Sequence, residues 1–522
     1  MASESLTFEP QHRLHPLSWL FSLTNYIKNF IVPLAFLVFL GARDDEMWGL
    51  VAVVPLLIGA LWKQWIYRYG FGPRGLVIRD GLFFRNVRQI DYARIENIDI
   101  ERGLLHRLLG VAQASIATST GGKAEASIRV LSLDAVQELR EQVFSHRAEK
   151  AATGQPAPQA VAPTADEVLL RLPPIELVRF GLIDNRGMLV VAALVGFLAQ
   201  GGAFELVMRN AASWLDAPLH DFAALGFAMQ AAIGVFGLIS ALIAMRILSV
   251  AIAFVTLFDF TLSRHSDDFR VHHGLLTRLA LTLRVRRIQS IHQTQTLLHR
   301  FFGRVSVRVD LAGDSGVSEE GKQQSQTRTR WLAPICTPDM AQTLIATALP
   351  DVDFTASPNW QPLAPRARGR IFRKSVYFGV FFAALTALTL HLVPEAPFRP
   401  GMGWIPAVLA VLLPIAWWRA HVFVTNTRWA LTDDAVMFRY GWLTRRLIVA
   451  PRNRLQSVHF AESPFDRRHR MASVSIDTAG GGAMRDNIHI PFLPEQIARA
   501  LMVRLYHSEI DRGRVPQALP PA

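Results

Sequence analysis

The feature that most limits the fold of this chain is a short pattern written three times. Asp80-Gly81-Leu82-Phe83-Phe84-Arg85 resembles His273-Gly274-Leu275-Leu276-Thr277-Arg278 and Tyr440-Gly441-Trp442-Leu443-Thr444-Arg445. Thirteen positions after each glycine stands an arginine, which opens Arg94-Ile95-Glu96-Asn97-Ile98, Arg287-Ile288-Gln289-Ser290-Ile291 and Arg454-Leu455-Gln456-Ser457-Val458. The same alignment, without a gap, matches Leu105-His106-Arg107 with Leu298-His299-Arg300 and Phe465-Asp466-Arg467. Self-similarity on this scale means one structural unit used repeatedly.

The residues inside the pattern say what that unit is. Ala112, Ala114 and Ile116 match Val305, Val307 and Val309, then Ala472, Val474 and Ile476, each alternating with polar or small residues. Alternation at period two predicts half-buried strands. The repeated glycine follows another short alternating run and sits where a tight hairpin turn requires it. A helical pattern closes each polar segment, at Asp134 to Phe144, Asp339 to Leu349 and Glu495 to Leu505. Thr337-Pro338 is a good start for the second of these helices. Ala148 to Asp166 and Asp351 to Arg368 are rich in Pro, Ala and polar residues, so both are expected to be flexible or extended linkers. These joints divide the chain into 1–160, 161–361 and 362–522.

Between the polar segments lie stretches that approach or reach the roughly 20 apolar residues needed to cross a bilayer. They are Phe30 to Leu40 with its approach from Leu17, Trp48 to Trp62, Gly187 to Met208, Phe222 to Met245, Val376 to Val393 and Met402 to Trp418. Composition agrees, with 51% hydrophobic and 19% charged residues. The stretches come in three pairs joined by Gly41 to Met47, Arg209 to Asp221 and Pro394 to Gly401, which predicts three helical hairpins and six spans. Lys63, Arg68, Arg179, Arg373, Lys374 and Arg419 flank the spans on the side of the long polar segments, so the positive-inside rule puts those segments and both termini in the cytoplasm. The N-terminal residues lack the basic start, apolar core and small-residue cleavage site of a signal peptide, so the first hairpin is expected to be kept. Cys336 is the only cysteine, which excludes an intrachain disulfide and a multi-cysteine metal site.

Small antiparallel strands followed by one helix, with a G-L-x-x-R turn and an R-[IL]-x-[NS]-[IV] strand after each apolar hairpin, resemble the bacterial PH-like domain family of membrane proteins. The resemblance extends over nearly the whole chain and is to the three-repeat members. It implies an α+β membrane protein of the bacterial inner membrane: three repeats of a transmembrane helical hairpin followed by a PH-like antiparallel β-sheet domain capped by a C-terminal helix. It implies architecture more than activity. The first repeat departs with Glu96-Asn97 where the others have Gln-Ser, and the third has Arg470 where Gly110 and Gly303 align.

Arginines around the hairpin are the candidate ligand contacts, because basic residues on the early strands of PH domains bind lipid phosphates and Arg grips phosphate with two donors. The matching positions are Arg85, Arg88 and Arg94; Arg278, Arg284, Arg286 and Arg287; and Arg445, Arg446, Arg452 and Arg454. A formal charge of +13 suits either nucleic acid or an anionic membrane surface. Basic segments tethered beside a leaflet gain about 1 kcal/mol per residue from anionic lipid, which makes lipid the expected ligand and leaves no nucleic acid among the partners.

Other candidates carry less. Gly316 to Lys322 approximates a phosphate loop, but Gln323 replaces the Ser or Thr that binds magnesium, so a loop tip is expected. His265, His272 and His273 lie near Asp267 and Asp268, yet strand alternation scatters them over two faces and no metal is expected. Neither G-x-S-x-G nor H-E-x-x-H occurs, and nothing pairs a nucleophile with a base. Arg246 interrupts a long apolar run and is expected at the cytoplasmic edge of its helix. The sequence therefore describes a noncatalytic membrane scaffold without cofactor, which binds anionic lipid or partner proteins. Two alternatives stand beside it: an assembly module forming homo-oligomers or docking a smaller PH-like membrane protein, and a lipid-handling or transport protein.

Overall fold

The computed structural model describes residues 12–13, 68–72, 75–80, 86–92, 95–118, 124–138, 141, 167–200, 226–265, 268–312, 330–354, 357–392, 404–478 and 488–510. By contact the chain divides into two units, 1–284 and 285–522. The expected spans Phe30 to Leu40 and Trp48 to Trp62, the three span connections, the linker 148–166 and the glycine run 316–322 lie outside the described residues.

In the first unit, β1 (His12–Arg13), β2 (Arg68–Phe71), β3 (Gly75–Asp80) and β4 (Asn86–Asp91) form a four-stranded antiparallel sheet in that order. The next strands are β5 (Ile95–Arg102), β6 (Val111–Thr118), β7 (Ala124–Ser132), β8 (Glu167–Arg171), β9 (Thr261–His265), β10 (Asp268–His273) and β11 (Arg278–Arg284). They make one seven-stranded sheet in the order β7-β6-β5-β11-β10-β9-β8. Alternation builds the first core: Leu76, Ile78 and Ile90 from the smaller sheet pack with Ala112, Ala114, Ile116 and Leu131 from the larger, joined by Val136 of a helical segment at 133–138. A short helix α1 (Leu104–Leu108) follows β5.

Three longer helices interrupt this unit after β8. They are α2 (Pro174–Ile183), α3 (Arg186–Gln200) and α4 (Phe227–Leu257). Pro174 starts α2 where its missing N–H costs nothing. Gly181 lets α2 approach α4 closely, since a Cβ there would lie 2.4 Å from the Val250 Cα. Gly187 plays the same part opposite Ser249, whose Oγ accepts from its N–H at 2.9 Å.

The second unit repeats the plan. Its strands are β12 (Ile288–Gln295), β13 (Val305–Leu311), β14 (Trp331–Cys336), β15 (Gln361–Pro362), β16 (Arg428–Leu431), β17 (Ala435–Tyr440) and β18 (Arg445–Pro451), in the sheet order β14-β13-β12-β18-β17-β16-β15. A final sheet runs β19 (Leu455–Ala461), β20 (Met471–Thr478), β21 (Ile488–Pro494). Helix α5 (Leu297–Phe301) follows β12, and α6 (Pro338–Ala348) packs on β12, β13 and β14. Helices α7 (Ala367–Leu392) and α8 (Trp404–Asn426) pack on each other. After β19 come α9 (Pro464–Arg468) and, after β21, α10 (Glu495–Ile510), which covers the last sheet. Trp429, Val436, Phe438 and Ile448 meet Val474, Ile476, Ile490 and Leu501 in the core of the third repeat.

Each seven-stranded sheet thus takes three strands from one repeat and four from the next. In the first joint Arg278, Leu279 and Ala280 of β11 stand opposite Arg102, Glu101 and Ile100 of β5. In the second, Arg445 to Val449 of β18 stand opposite Gln295 to Ile291 of β12, in the equivalent register. This sharing is why the border between the units falls inside the second repeat, at the 3-10 turn Val285–Arg287 between β11 and β12.

The membrane-spanning expectations fare unevenly. Among the described residues one helix, α4, is long and apolar enough to cross a bilayer. It runs past Met245, where the expected span ended, to Leu257, because the apolar run resumes at Ile247 and half-buried Arg246, itself a good helix former, donates to the Leu182 carbonyl in α2. The expected linker 351–368 runs without helix as far as Ala364 where described and enters α7 at Ala367: Leu363 enters the third core, the Ala364 N–H donates to the Phe492 carbonyl, and Asp351 meets Arg454.

Candidate functional site

The repeated glycine turn, Gly274-Leu275 or Gly441-Trp442, connects β10 to β11 and β17 to β18. Its glycines are at φ 111° (Gly274) and 92° (Gly441), and a Cβ on either would come 2.0 Å from the carbonyl oxygen of Thr277 or Thr444. Only glycine fits such a backbone. The two residues that follow each glycine are not the polar ones that turns favour. Leu275, Leu276, Trp442 and Leu443 are all exposed or half-exposed apolar side chains.

A long apolar helix meets each turn. The Gly274 N–H donates to the Phe258 carbonyl at 2.8 Å, and the Leu275 N–H to the Val255 carbonyl at 3.0 Å, both at the C-terminal end of α4. In the other copy, Trp442 meets Trp418 of α8 edge to face with ring centroids 4.9 Å apart. The far side of the turn is fastened by the short helix of the preceding repeat. Arg107 Nη1 donates to the Leu275 carbonyl at 3.2 Å, and Arg300 Nη2 to the Trp442 carbonyl at 3.0 Å. Those short helices also carry exposed apolar residues: Leu104, Leu105 and Leu108 in α1, and Leu297, Leu298 and Phe301 in α5, with Leu108 and Phe301 each 81% exposed. Turn and short helix, joined by these arginines, therefore both carry exposed apolar side chains, and the Leu275 turn sits at the end of an apolar helix.

The sequence-predicted arginines are divided. Arg278 and Arg445 stand at the start of β11 and β18, exposed and next to the patch. Arg446 donates to the Tyr440 hydroxyl at 3.3 Å. Arg287 donates to the Ala312 carbonyl. Arg452 serves the carbonyls of Asp433 and Arg504, each at 2.9 Å. Arg454 reaches back to the carbonyls of Val285 and Ile288 and meets Asp351 at 3.3 Å. Burial lowers the Arg454 pKa, opposed by the Asp351 charge. Arg284 ends β11 and Arg286 lies in the 3-10 turn after it, and both have partners. Arg85 and Arg94 lie outside the described residues, and of Arg88 only its backbone in β4 is described. Four of the predicted ligand arginines, Arg287, Arg446, Arg452 and Arg454, are thus bonded to protein groups, while the apolar turn residues went unnoticed in the sequence. Their signal was there: two hydrophobic residues after the glycine of each described turn.

Two further clusters bear on chemistry. On β12 and β13, Ser290 Oγ lies 3.0 Å and Asp310 Oδ2 2.8 Å from the same His292 Nε2. Ser457, His459 and Asp477 repeat the arrangement. A hydrolytic triad needs the serine and the carboxylate on opposite ring nitrogens, so that one nitrogen accepts the serine proton while the other donates. Here both share Nε2, which cannot donate to Asp310 and accept from Ser290 together. His273 is held by its Nδ1 contact to the Thr256 carbonyl at 2.7 Å and by stacking on Phe260, and burial lowers its pKa.

Arg246 lies in α4, and its Nη1 donates to the Leu182 carbonyl at 3.1 Å and to Asn185 Oδ1 at 2.8 Å. Beside these, Arg186 pairs with Asp184 at 2.7 Å, so the corner between α2 and α3 is a small polar belt. Residues 227–245 before it give roughly 28 Å of helix, about one hydrocarbon thickness. An open groove of about 500 Å³ lined by Leu182, Ile239, Leu242, Ile243, Ile247 and Val250 runs beside Arg246.

Comparison with known proteins agrees with the repeat. A family model described as Bacterial PH domain matches residues 27–147, 220–332 and 378–509. The UPF0699 transmembrane protein YdbT of Bacillus subtilis (strain 168) is 23% identical over 497 residues, which cover 92% of this chain and 94% of the relative.

Proposed function

Since this chain belongs to the bacterial PH domain family, we propose that it is a noncatalytic multi-pass protein of the bacterial cell membrane whose PH-like domains rest on the cytoplasmic leaflet and bind anionic lipid headgroups. The single observation that carries this is the anchoring of the Leu275-Leu276 turn to the C-terminal end of α4. A helix that crosses a bilayer delivers whatever is bonded to its end to the interface. Apolar side chains there sink into the acyl boundary, and the neighbouring arginines meet phosphate. Arg278 and Arg445 supply that charge, with Arg107 and Arg300 beside them. Three hairpins and cytoplasmic termini complete the reading, supported by the basic residues at the start of α7 and by the exposed apolar flanks of α4, α7 and α8.

The test uses the full-length protein in nanodiscs of neutral lipid or of lipid with added phosphatidylglycerol. Hydrogen exchange at 274–278 and 441–445 is expected to slow in the anionic bilayer, and the protection to shrink as salt rises. Equal exchange in both bilayers rejects lipid capture. A second reading, lipid handling, draws on the groove beside Arg246. It requires Arg246→Ala to abolish lipid copurification while the helices remain folded, and unchanged lipid content rejects it.

A further inference from the structure

Two joints of one construction link the repeats, and the parts of a third are left at the ends. In the first, β11 pairs with β5 and Arg107 closes on the turn before β11; in the second, β18 pairs with β12 and Arg300 closes on the turn before β18. Equivalent positions face each other, Ala280 opposite Ile100 and Leu447 opposite Gln293.

The third repeat holds the same receiving half. Strand β19 carries the same bulge near its start, between Leu455 and Ser457, that β5 has between Ile95 and Asn97 and β12 between Ile288 and Ser290. Helix α9 follows it with Arg467 at the position of Arg107 and Arg300. Among the described strands, β19 pairs with β20 alone, so its other side is a row of open backbone donors and acceptors. From Gln456 to Ala461 the edge carries no proline or lysine, the residues that usually block such pairing. Among the described residues the Arg467 guanidinium has no partner, and Glu462 Oε1, one residue past β19, is buried without one. The inserting half lies in the first repeat. Strand β4, equivalent to β11 and β18, pairs with β3 alone among the described strands, and Val87 in it is exposed.

We infer that β19 of one molecule receives β4 of a second copy of this chain, joining the third repeat of one to the first repeat of the next as successive repeats are joined within each. Transferring the internal register puts Asn86 opposite Ala461, Val87 opposite Phe460 and Gln89 opposite Val458. Arg467 then lies beside the start of the second copy's β4, and the open main-chain row of β19 is completed by strand addition. The contact is heterologous, so copies add head to tail into a ring or a row. It stands independently of the lipid reading.

The experiment co-expresses two differently tagged full-length chains, Val87→Cys and Phe460→Cys, each with Cys336→Ser, and oxidises the purified membranes. Disulfide-linked dimers carrying both tags are expected, with none from either chain expressed alone. Arg467→Glu should lower the dimer yield more than fivefold without shifting the melting temperature. Native mass spectrometry of the unsubstituted chain should show two or more copies, and Arg467→Glu should shift it toward one. The inference is overturned by the absence of mixed dimers, by equal crosslinking within one chain type, by a monomeric native mass, or by a different polypeptide found covering β19.

Discussion

Arg300 donates from Nη2 to the carbonyl oxygen of Trp442 at 3.0 Å, and these two residues belong to consecutive repeats. Arg107 and Leu275 repeat the bond at 3.2 Å. The arginine of the repeated Leu-His-Arg therefore fastens the next repeat's turn. A hydrogen bond of this kind contributes about 1 kcal/mol, so Arg300→Ala should leave the cores folded while exchange at 441–445 speeds up by about fivefold. Unchanged exchange there would mean that β12–β18 pairing alone fixes the turn.

Arg470 has φ 54°, where the aligned Gly110 and Gly303 have 65° and 62°. A side chain in this left-handed region costs about 1 kcal/mol, and glycine removes that strain at some expense in unfolded-state entropy. Arg470→Gly is expected to stabilise the protein by about 0.5 kcal/mol, and Gly303→Arg to destabilise it by about 1 kcal/mol, both read by thermal unfolding. A loss of stability in Arg470→Gly would show that the arginine side chain contributes more than its backbone costs.

His299 caps α5 together with Thr296, and burial lowers its pKa to about 4 from 6.5. The folded state holds it neutral while the unfolded state takes up a proton near pH 6.5. Stability present above that pH is therefore lost as pH falls toward 4, by about 2 kcal/mol at pH 5. His273 and His489, also lowered by burial, act in the same direction. His299→Gln should reduce the difference in melting temperature between pH 7 and pH 5. An identical difference would show that His299 is not buried in solution.

Much of the fold is legible in the sequence. The helix expected at Asp339 to Leu349 is Pro338–Ala348, and the one expected from Glu495 is Glu495–Ile510, because capping and period-3.6 spacing are local signals. Alternation correctly buried Val305, Val307 and Val309. The sharing of sheets between repeats was not legible, since alternation reveals which face of a strand is covered and not which strand lies at its edge. For the same reason Arg454 read as a free cation: a sequence does not show that the carbonyls of Val285 and Ile288 converge on it. The apolar character of Leu275 and Trp442 inside a turn marks this site more clearly than the charge of the neighbouring arginines does.

The central claim, that the Gly274 and Gly441 turns lie at the cytoplasmic face of the bilayer, is tested most directly by cysteine labelling. Leu276→Cys and Leu443→Cys would be made singly with Cys336→Ser and probed with an impermeant maleimide and with a polarity-sensitive dye. The account predicts no labelling from outside intact cells, labelling in inverted vesicles, and dye emission shifted to the blue of the same dye on an exposed control position such as Gln342. Labelling from the outside, or emission equal to that control in both variants, would contradict it.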